Sequence, residues 1–123
     1  MINHVSIGVR SLAKAKSFYD AALAAIGYRC LSEDATSLGY GGDGAAFWVL
    51  QTEHPVAANS KSGLHICFDA ANRESVNKFH AAGLAHGGQD NGKPGLRTDY
   101  GPDYFAAFLV DPDGYRIEAH SRG

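Results

Sequence analysis

Several features that would settle a protein's class quickly are scarce here. Two cysteines, Cys30 and Cys67, are too few for a disulfide framework, and both read as small buried thiols. The 11 Lys and Arg do not gather on one face and the formal net charge is -2, so the basic footprint of a nucleic-acid binder is missing. No apolar run is long enough to cross a bilayer. The opening MINHVSIGVRS enters a strand pattern at once, not a charged-then-apolar leader, and a cytoplasmic protein is expected. Prolines number four against 15 glycines, a balance that suits tight turns better than linkers.

What is present is an ordinary core. With 123 residues, 45% of them hydrophobic and 20% charged, one domain with a real interior is expected. Residues 2–9 alternate, with Val5, Ile7 and Val9 on one face and His4, Ser6 and Gly8 on the other. Ser11 can cap a helix in which Leu12, Ala15, Phe18, Tyr19, Ala22, Leu23 and Ile26 recur at helical spacing, closed by Gly27. Strand-like runs follow at 28–32, 37–40 and 46–52. The stretch HPVAANSKSG, 54–63, is the connector.

The pattern then begins again. Residues 64–70 alternate, with Ile66, Phe68 and Ala70 opposite His65, Cys67 and Asp69, and a second helix runs from about Asn72 to Gly83. A displacement of 61 positions carries His4 onto His65, Ser11 onto Asn72 and Phe18 onto Phe79, which indicates an internal duplication with repeats at about 1–54 and 63–121. The second copy continues through a short strand near 85–87, a long loop, GGQDNGKPGLRTDYGPD, with five glycines and the length of a lid, and two strands around the turn Asp111-Pro112-Asp113-Gly114.

The last strand holds a single carboxylate, Glu118, among apolar neighbours, and such a group is costly to bury without a positive partner. If helices cover the face bearing Val5, Ile7, Ile66, Phe68, Ile117 and Ala119, the other face presents His4, Ser6, His65, Cys67, Arg116, Glu118 and His120. His4, His65 and Glu118 then form a two-His-one-carboxylate set suited to Fe, Mn, Ni, Co or Zn, with coordination positions left for substrate. The alternatives stay open: each histidine alone fits a strand end satisfied by backbone groups, and Glu118 alone could pair with Arg116 or Arg97. His54, His80 and His86 are expected in solvent, and His120 is a secondary ligand candidate at a frayed strand end.

NHVSIGVRSLAKAKSFYDAAL, GLHICF and FLVDPDGYRIEAH together resemble the signature stretches of the vicinal oxygen chelate superfamily, which includes glyoxalase I, extradiol dioxygenases, fosfomycin resistance proteins and bleomycin-binding proteins. The resemblance implies an α+β fold of two tandem βαβββ modules forming a cupped mixed sheet, usually a homodimer, with His4, His65 and Glu118 at metal-ligand positions. It also implies a small oxygenated substrate whose adjacent oxygens meet the metal. The fourth carboxylate expected of glyoxalase I falls on Trp48, or on Val49 or Leu50 if the register slips, and none of these is a carboxylate, so lactoylglutathione lyase activity is not expected. Ser6 lies where fosfomycin enzymes place a hydroxyl, although their serine-rich loop is missing. Tyr104, or else His120, is the acid-base candidate that a dioxygenase would need. Trp48 is a candidate pocket wall and Arg97 a candidate for an anionic substrate group. The class is therefore a metal-dependent lyase, isomerase, transferase or dioxygenase, or else a metal-free binder of the bleomycin-binding type.

Overall fold

The computed structural model describes residues 1–123. Strand β1 (Val5–Val9) leads into helix α1 (Leu12–Ala24), whose N-cap Ser11 accepts a hydrogen bond from the Lys14 N–H through its side chain. The helix closes on Gly27, whose φ of 92° is a conformation that costs a Cβ-bearing residue more than glycine. Three antiparallel strands follow, β2 (Arg29–Glu33), β3 (Ser37–Gly41) and β4 (Ala45–Gln51), and β4 pairs parallel with β1, giving the sheet order β1-β4-β3-β2.

The second half repeats this order element for element. Strand β5 (His65–Asp69) is followed by helix α2 (Arg73–Ala85), β6 (Gln89–Leu96), β7 (Phe105–Val110) and β8 (Arg116–Ser121), and the sheet runs β5-β8-β7-β6. Asn72, displaced by the same interval from Ser11, caps α2 in a full capping box with Ser75. Phe18 and Phe79 are both 0% exposed. The α+β architecture of two tandem modules is thus present, each built around one helix and a four-stranded mixed sheet.

One difference from the sequence expectation is β6. The stretch expected to be a strand near 85–87 and then a long loop is instead a helix end, a turn at Gly87 and an eight-residue edge strand. QDNGKPGL has no β-branched or aromatic residue to signal a strand. It pairs with β7 through two register shifts, at Asp90/Gly92 and Gly92/Gly95, where glycine and proline are tolerated because the strand bulges at a sheet edge. A lid of the length expected is therefore not there; what remains outside strands is the short stretch between Leu96 and Phe105.

Nineteen buried residues from both halves make one contiguous cluster, so neither helix has a core to itself. Val9, Val49, Leu109, Ile117 and Ala119 reach it from the sheets and are 0% exposed. Phe47 meets Phe68 edge to face across the modules, with centroids 5.1 Å apart. The turn at Asp111 is tied to the first module three times: Tyr19 donates its hydroxyl to Asp111, Arg10 donates its backbone N–H to Asp113, and Tyr115 donates its hydroxyl to the Gly8 carbonyl. Desolvation is the main reason Asp111 holds its proton more tightly than an ordinary carboxyl, the Tyr19 hydrogen bond offsetting part of that. No helix is long and apolar enough to cross a membrane.

Candidate functional site

Along β8, Ile117 and Ala119 face the helices, which turns Arg116, Glu118 and His120 to the open face of the second sheet. In the ladder, Glu118 lies between Cys67 of β5 and Phe108 of β7. Although it sits on the open face, Glu118 is only 2% exposed. His65 Nε2 approaches Oε1 at 2.9 Å, and Tyr104 donates its hydroxyl to Oε2 at 2.7 Å. The buried carboxylate therefore has a partner on each oxygen, which is what makes its position tenable.

Desolvation, then the hydrogen bond to Glu118, raise the Tyr104 phenol well above its ordinary value, so it is a hydrogen-bond donor at neutral pH. Cys67 belongs to an exposed residue on an edge strand, not to the buried thiol expected; Cys30 is half-buried. The Cys67 Sγ lies on the open face, 4.0 Å from the Tyr104 hydroxyl. Desolvation there, followed by the Glu118 charge, pushes the thiol up to about 12. The Tyr104 ring is stacked on His120 at 4.0 Å between centroids and is met edge-on by Tyr100. His120 is not frayed. Its Nε2 is buried without a partner, and its Nδ1 lies 3.8 Å from Asp69 Oδ1.

Above Glu118 opens a cavity of about 630 Å³ to which Tyr100, Tyr104, Phe108, His65, Asn59 and Arg116 contribute. Arg97 reaches its wall indirectly, with the guanidinium 5.2 Å from the Phe108 ring centroid and Nη2 donating to the Lys93 carbonyl. Neither Arg97 nor Arg116 pairs with Glu118.

The remaining candidates lie elsewhere. His4 is exposed, precedes β1, and hydrogen-bonds the side chain of its neighbour Asn3 at 2.7 Å. It opens on a second cavity, about 410 Å³, at the junction of the two modules, which His65 and Glu118 do not line. Ser6 and Trp48 are ladder partners on the open face of the first sheet, with Trp48 lying over Gly39. The two sheets turn these faces to different places, so the structure brings together His65, Glu118 and Tyr104 and leaves His4, Ser6 and Trp48 apart from them within one chain.

The sequence matches, over residues 1–119, the model of the Glyoxalase/Bleomycin resistance protein/Dioxygenase superfamily. This chain belongs to that superfamily. It is similar to a glyoxalase/bleomycin resistance protein from Albidiferax ferrireducens T118, with 32% identity, 98% of each chain covered and a TM-score of 0.82. The fold is also that of a glyoxalase/bleomycin resistance protein/dioxygenase family enzyme from Burkholderia phytofirmans PsJN, at 16% identity, 99% and 98% coverage and a TM-score of 0.74. A glyoxalase-related enzyme from Fulvimarina pelagi has a TM-score of 0.74 at 15% identity, with 98% of this chain and 86% of that one covered. No curated protein matches.

Members of this superfamily often use divalent metals, and the donor set can be tested for one. Within one chain, no three His, Cys, Asp or Glu groups come close enough to hold a metal ion. His65 and Glu118 supply two donors in contact; a third is missing from the chain itself. The register also gives Trp48 a defined place in the superfamily frame. Ser6 pairs with Trp48 as Cys67 pairs with Glu118, so Trp48 occupies the position in the first module that Glu118 occupies in the second.

Two things escaped the sequence. His80 is 7% exposed, not in solvent, and Nε2 lies 2.8 Å from Asp90 Oδ1, which ties α2 to β6. That hydrogen bond, and then the Gly92 N–H, hold the Asp90 carboxyl below the usual range. Phe108 and Tyr100 also line the cavity; strand alternation in FAAFLV signals Phe108 beside Glu118, whereas Tyr100 comes from a turn with no such signal.

Proposed function

We propose that this superfamily member is a divalent-metal-dependent enzyme, a lyase, isomerase, transferase or dioxygenase, acting on a small oxygenated molecule in the cavity above Glu118. The observation that carries this is the 2% exposed Glu118 carboxylate, held between His65 and Tyr104 at the base of an open cavity. A carboxylate this dry would be costly to bury unpaired, and one set beside a histidine in a cavity is what a functional site provides. His65 and Glu118 would be two of the metal ligands. Because a third donor is lacking in one chain, the reading requires a homodimer in which the partner subunit's His4 completes the set. A bound divalent ion would polarise a substrate carbonyl or stabilise an oxyanion. Tyr104, held protonated, can donate its hydrogen bond to a substrate oxygen in place of Glu118. Arg97 and the partner subunit's Trp48 and Ser6 supply the remaining substrate contacts in such an assembly.

Metal analysis of protein purified without chelator tests this. About one ion per chain is expected, with loss in the His4→Ala, His65→Ala and Glu118→Ala variants. Mixing His4→Ala with Glu118→Ala chains should restore metal binding in part, because each mixed dimer regains one complete site. Absence of stoichiometric metal in the wild type removes the enzyme reading.

The alternative is a metal-free binder using the same cavity, in which the 2.9 Å contact between His65 and Glu118 serves as a fixed polar floor for the ligand. Trp48 stands where a fourth carboxylate would be needed, so turnover of the methylglyoxal-glutathione hemithioacetal is not expected. Robust turnover in that assay would show that the fourth carboxylate is dispensable.

A further inference from the structure

The cavity above Glu118 carries a cation that no acid in the chain neutralises. Arg116 begins β8, lines the cavity and is half-buried. Its Nη1 donates to the Gly114 carbonyl at 2.9 Å, and none of the chain's ion pairs includes it. The acid two residues along, Glu118, has both oxygens engaged by His65 and Tyr104. Arg97, beside the cavity, is likewise without a carboxylate and rests on the Phe108 ring and the Lys93 carbonyl. A guanidinium with one backbone acceptor keeps most of its five N–H donors free, in a planar fork that matches a carboxylate.

Aromatic rings set the shape of the rest. Phe108 is stacked with His65, with centroids 6.2 Å apart and planes 26° apart, and Tyr100 meets Tyr104 edge to face at 5.3 Å. These rings give the cavity apolar walls suited to an aromatic body. The 2% exposure of Glu118 and its two donors keep its charge from dominating the cavity mouth.

We propose that this cavity takes a small aromatic carboxylate, with the carboxylate on Arg116, the ring among Phe108, Tyr100 and Tyr104, and any further oxygen directed to His65 and Tyr104. The inference rests on the cavity being the ligand site, as in the function proposed above, but not on a metal being bound there.

Titration calorimetry with 4-hydroxybenzoate and its neutral counterpart 4-hydroxybenzamide tests it, on wild-type protein as purified and again after dialysis against EDTA. The acid is expected to bind at least tenfold more tightly than the amide in both preparations. Arg116→Gln should weaken the acid at least tenfold and leave the amide unchanged, while Arg116→Lys keeps part of the preference. Failure of the acid to bind, or equal affinity of acid and amide, overturns the proposal on wild-type protein alone, whether or not the variants fold. A preference that vanishes with EDTA overturns it too, since an ion and not Arg116 would then be taking the carboxylate, and it would strengthen the metal reading. A preference that persists in protein shown to hold no metal supports the Arg116 site while removing the metalloenzyme.

Discussion

The two modules share a scaffold and differ on their open faces. Ser11 and Asn72 cap equivalent helices, and Phe18 and Phe79 fill equivalent places in one core. On the open side, Trp48 lies across Gly39 in the first sheet, whereas Glu118 lies beside Phe108 in the second; Leu50 answers to His120, and Ser6 to Cys67. One face is therefore built by a large ring over a glycine, the other by a carboxylate with donors around it. Duplication preserved what packs and released what does not, because the buried helix side fixes volume and the open side fixes none.

The largest effect should come from the shared part. Phe18→Ala and Phe79→Ala should each destabilise by about 3–5 kcal/mol in chemical denaturation, since both side chains are 0% exposed. A large disparity between them would show that the two halves are not equivalent supports. The open faces should diverge next. Tyr104→Phe removes the hydrogen bond to a buried carboxylate and should cost about 1.5–3 kcal/mol; Trp48→Phe, on the other sheet, should stay below about 1.5 kcal/mol. Equal losses would mean that Glu118 is no more demanding than Trp48.

A smaller difference separates the helices. Ala22 of α1 corresponds to Gly83 of α2, and a Cβ on Gly83 would come within 2.3 Å of a Leu109 methyl and 3.2 Å of Phe18. Alanine would gain about 1 kcal/mol of helix propensity, but overpacking costs about 1–3 kcal/mol. Gly83→Ala is therefore expected to lower the melting temperature, and a rise would show that the helices can separate.

The subtlest contrast is one of sign. Tyr19 and His80 are equivalent positions, and each meets an aspartate, Asp111 and Asp90. Asp90, held below the ordinary carboxyl value of about 3.9, contributes stability that is present above that value and lost as pH falls through its lowered folded value. Asp111 is raised, so its cost is absent at low pH and appears as pH climbs through the ordinary value toward the folded one. Denaturation at about pH 3, 4.5 and 6 should show Asp90→Asn losing ground to wild type as pH rises and Asp111→Asn gaining it. Slopes of the same sign would break the contrast.

Much of this was legible in advance, for identifiable reasons. Helical spacing from Leu12 to Ile26 and the cap residues Ser11 and Asn72 are local signals, and the helices are where they indicate. Alternation in RIEAH and in LHICFDA places Glu118 and His65 on the open side of their sheet, where the two touch. Strand β6 was not legible, because its glycines, proline and polar residues are those of a turn and its pairing is imposed by β7. Asp90 therefore carries no strand signal of its own, and the sequence hides it as the partner of His80. His4 shows a different limit. Alternation tells which side of its own sheet a residue occupies, but the angle between two sheets is decided by helix packing and cannot be read from either strand.

The Asp111 turn has a consequence for how the chain can be divided. Its ties to Tyr19, Arg10 and Gly8 join the last hairpin to the first strand and helix, and the core cluster runs across the same boundary. The connector at 54–63 contributes no helix or strand to either sheet. A protease that nicks it would therefore not release two domains: the fragments would co-elute as one particle, and each expressed alone would expose half of a core that only its complement can cover.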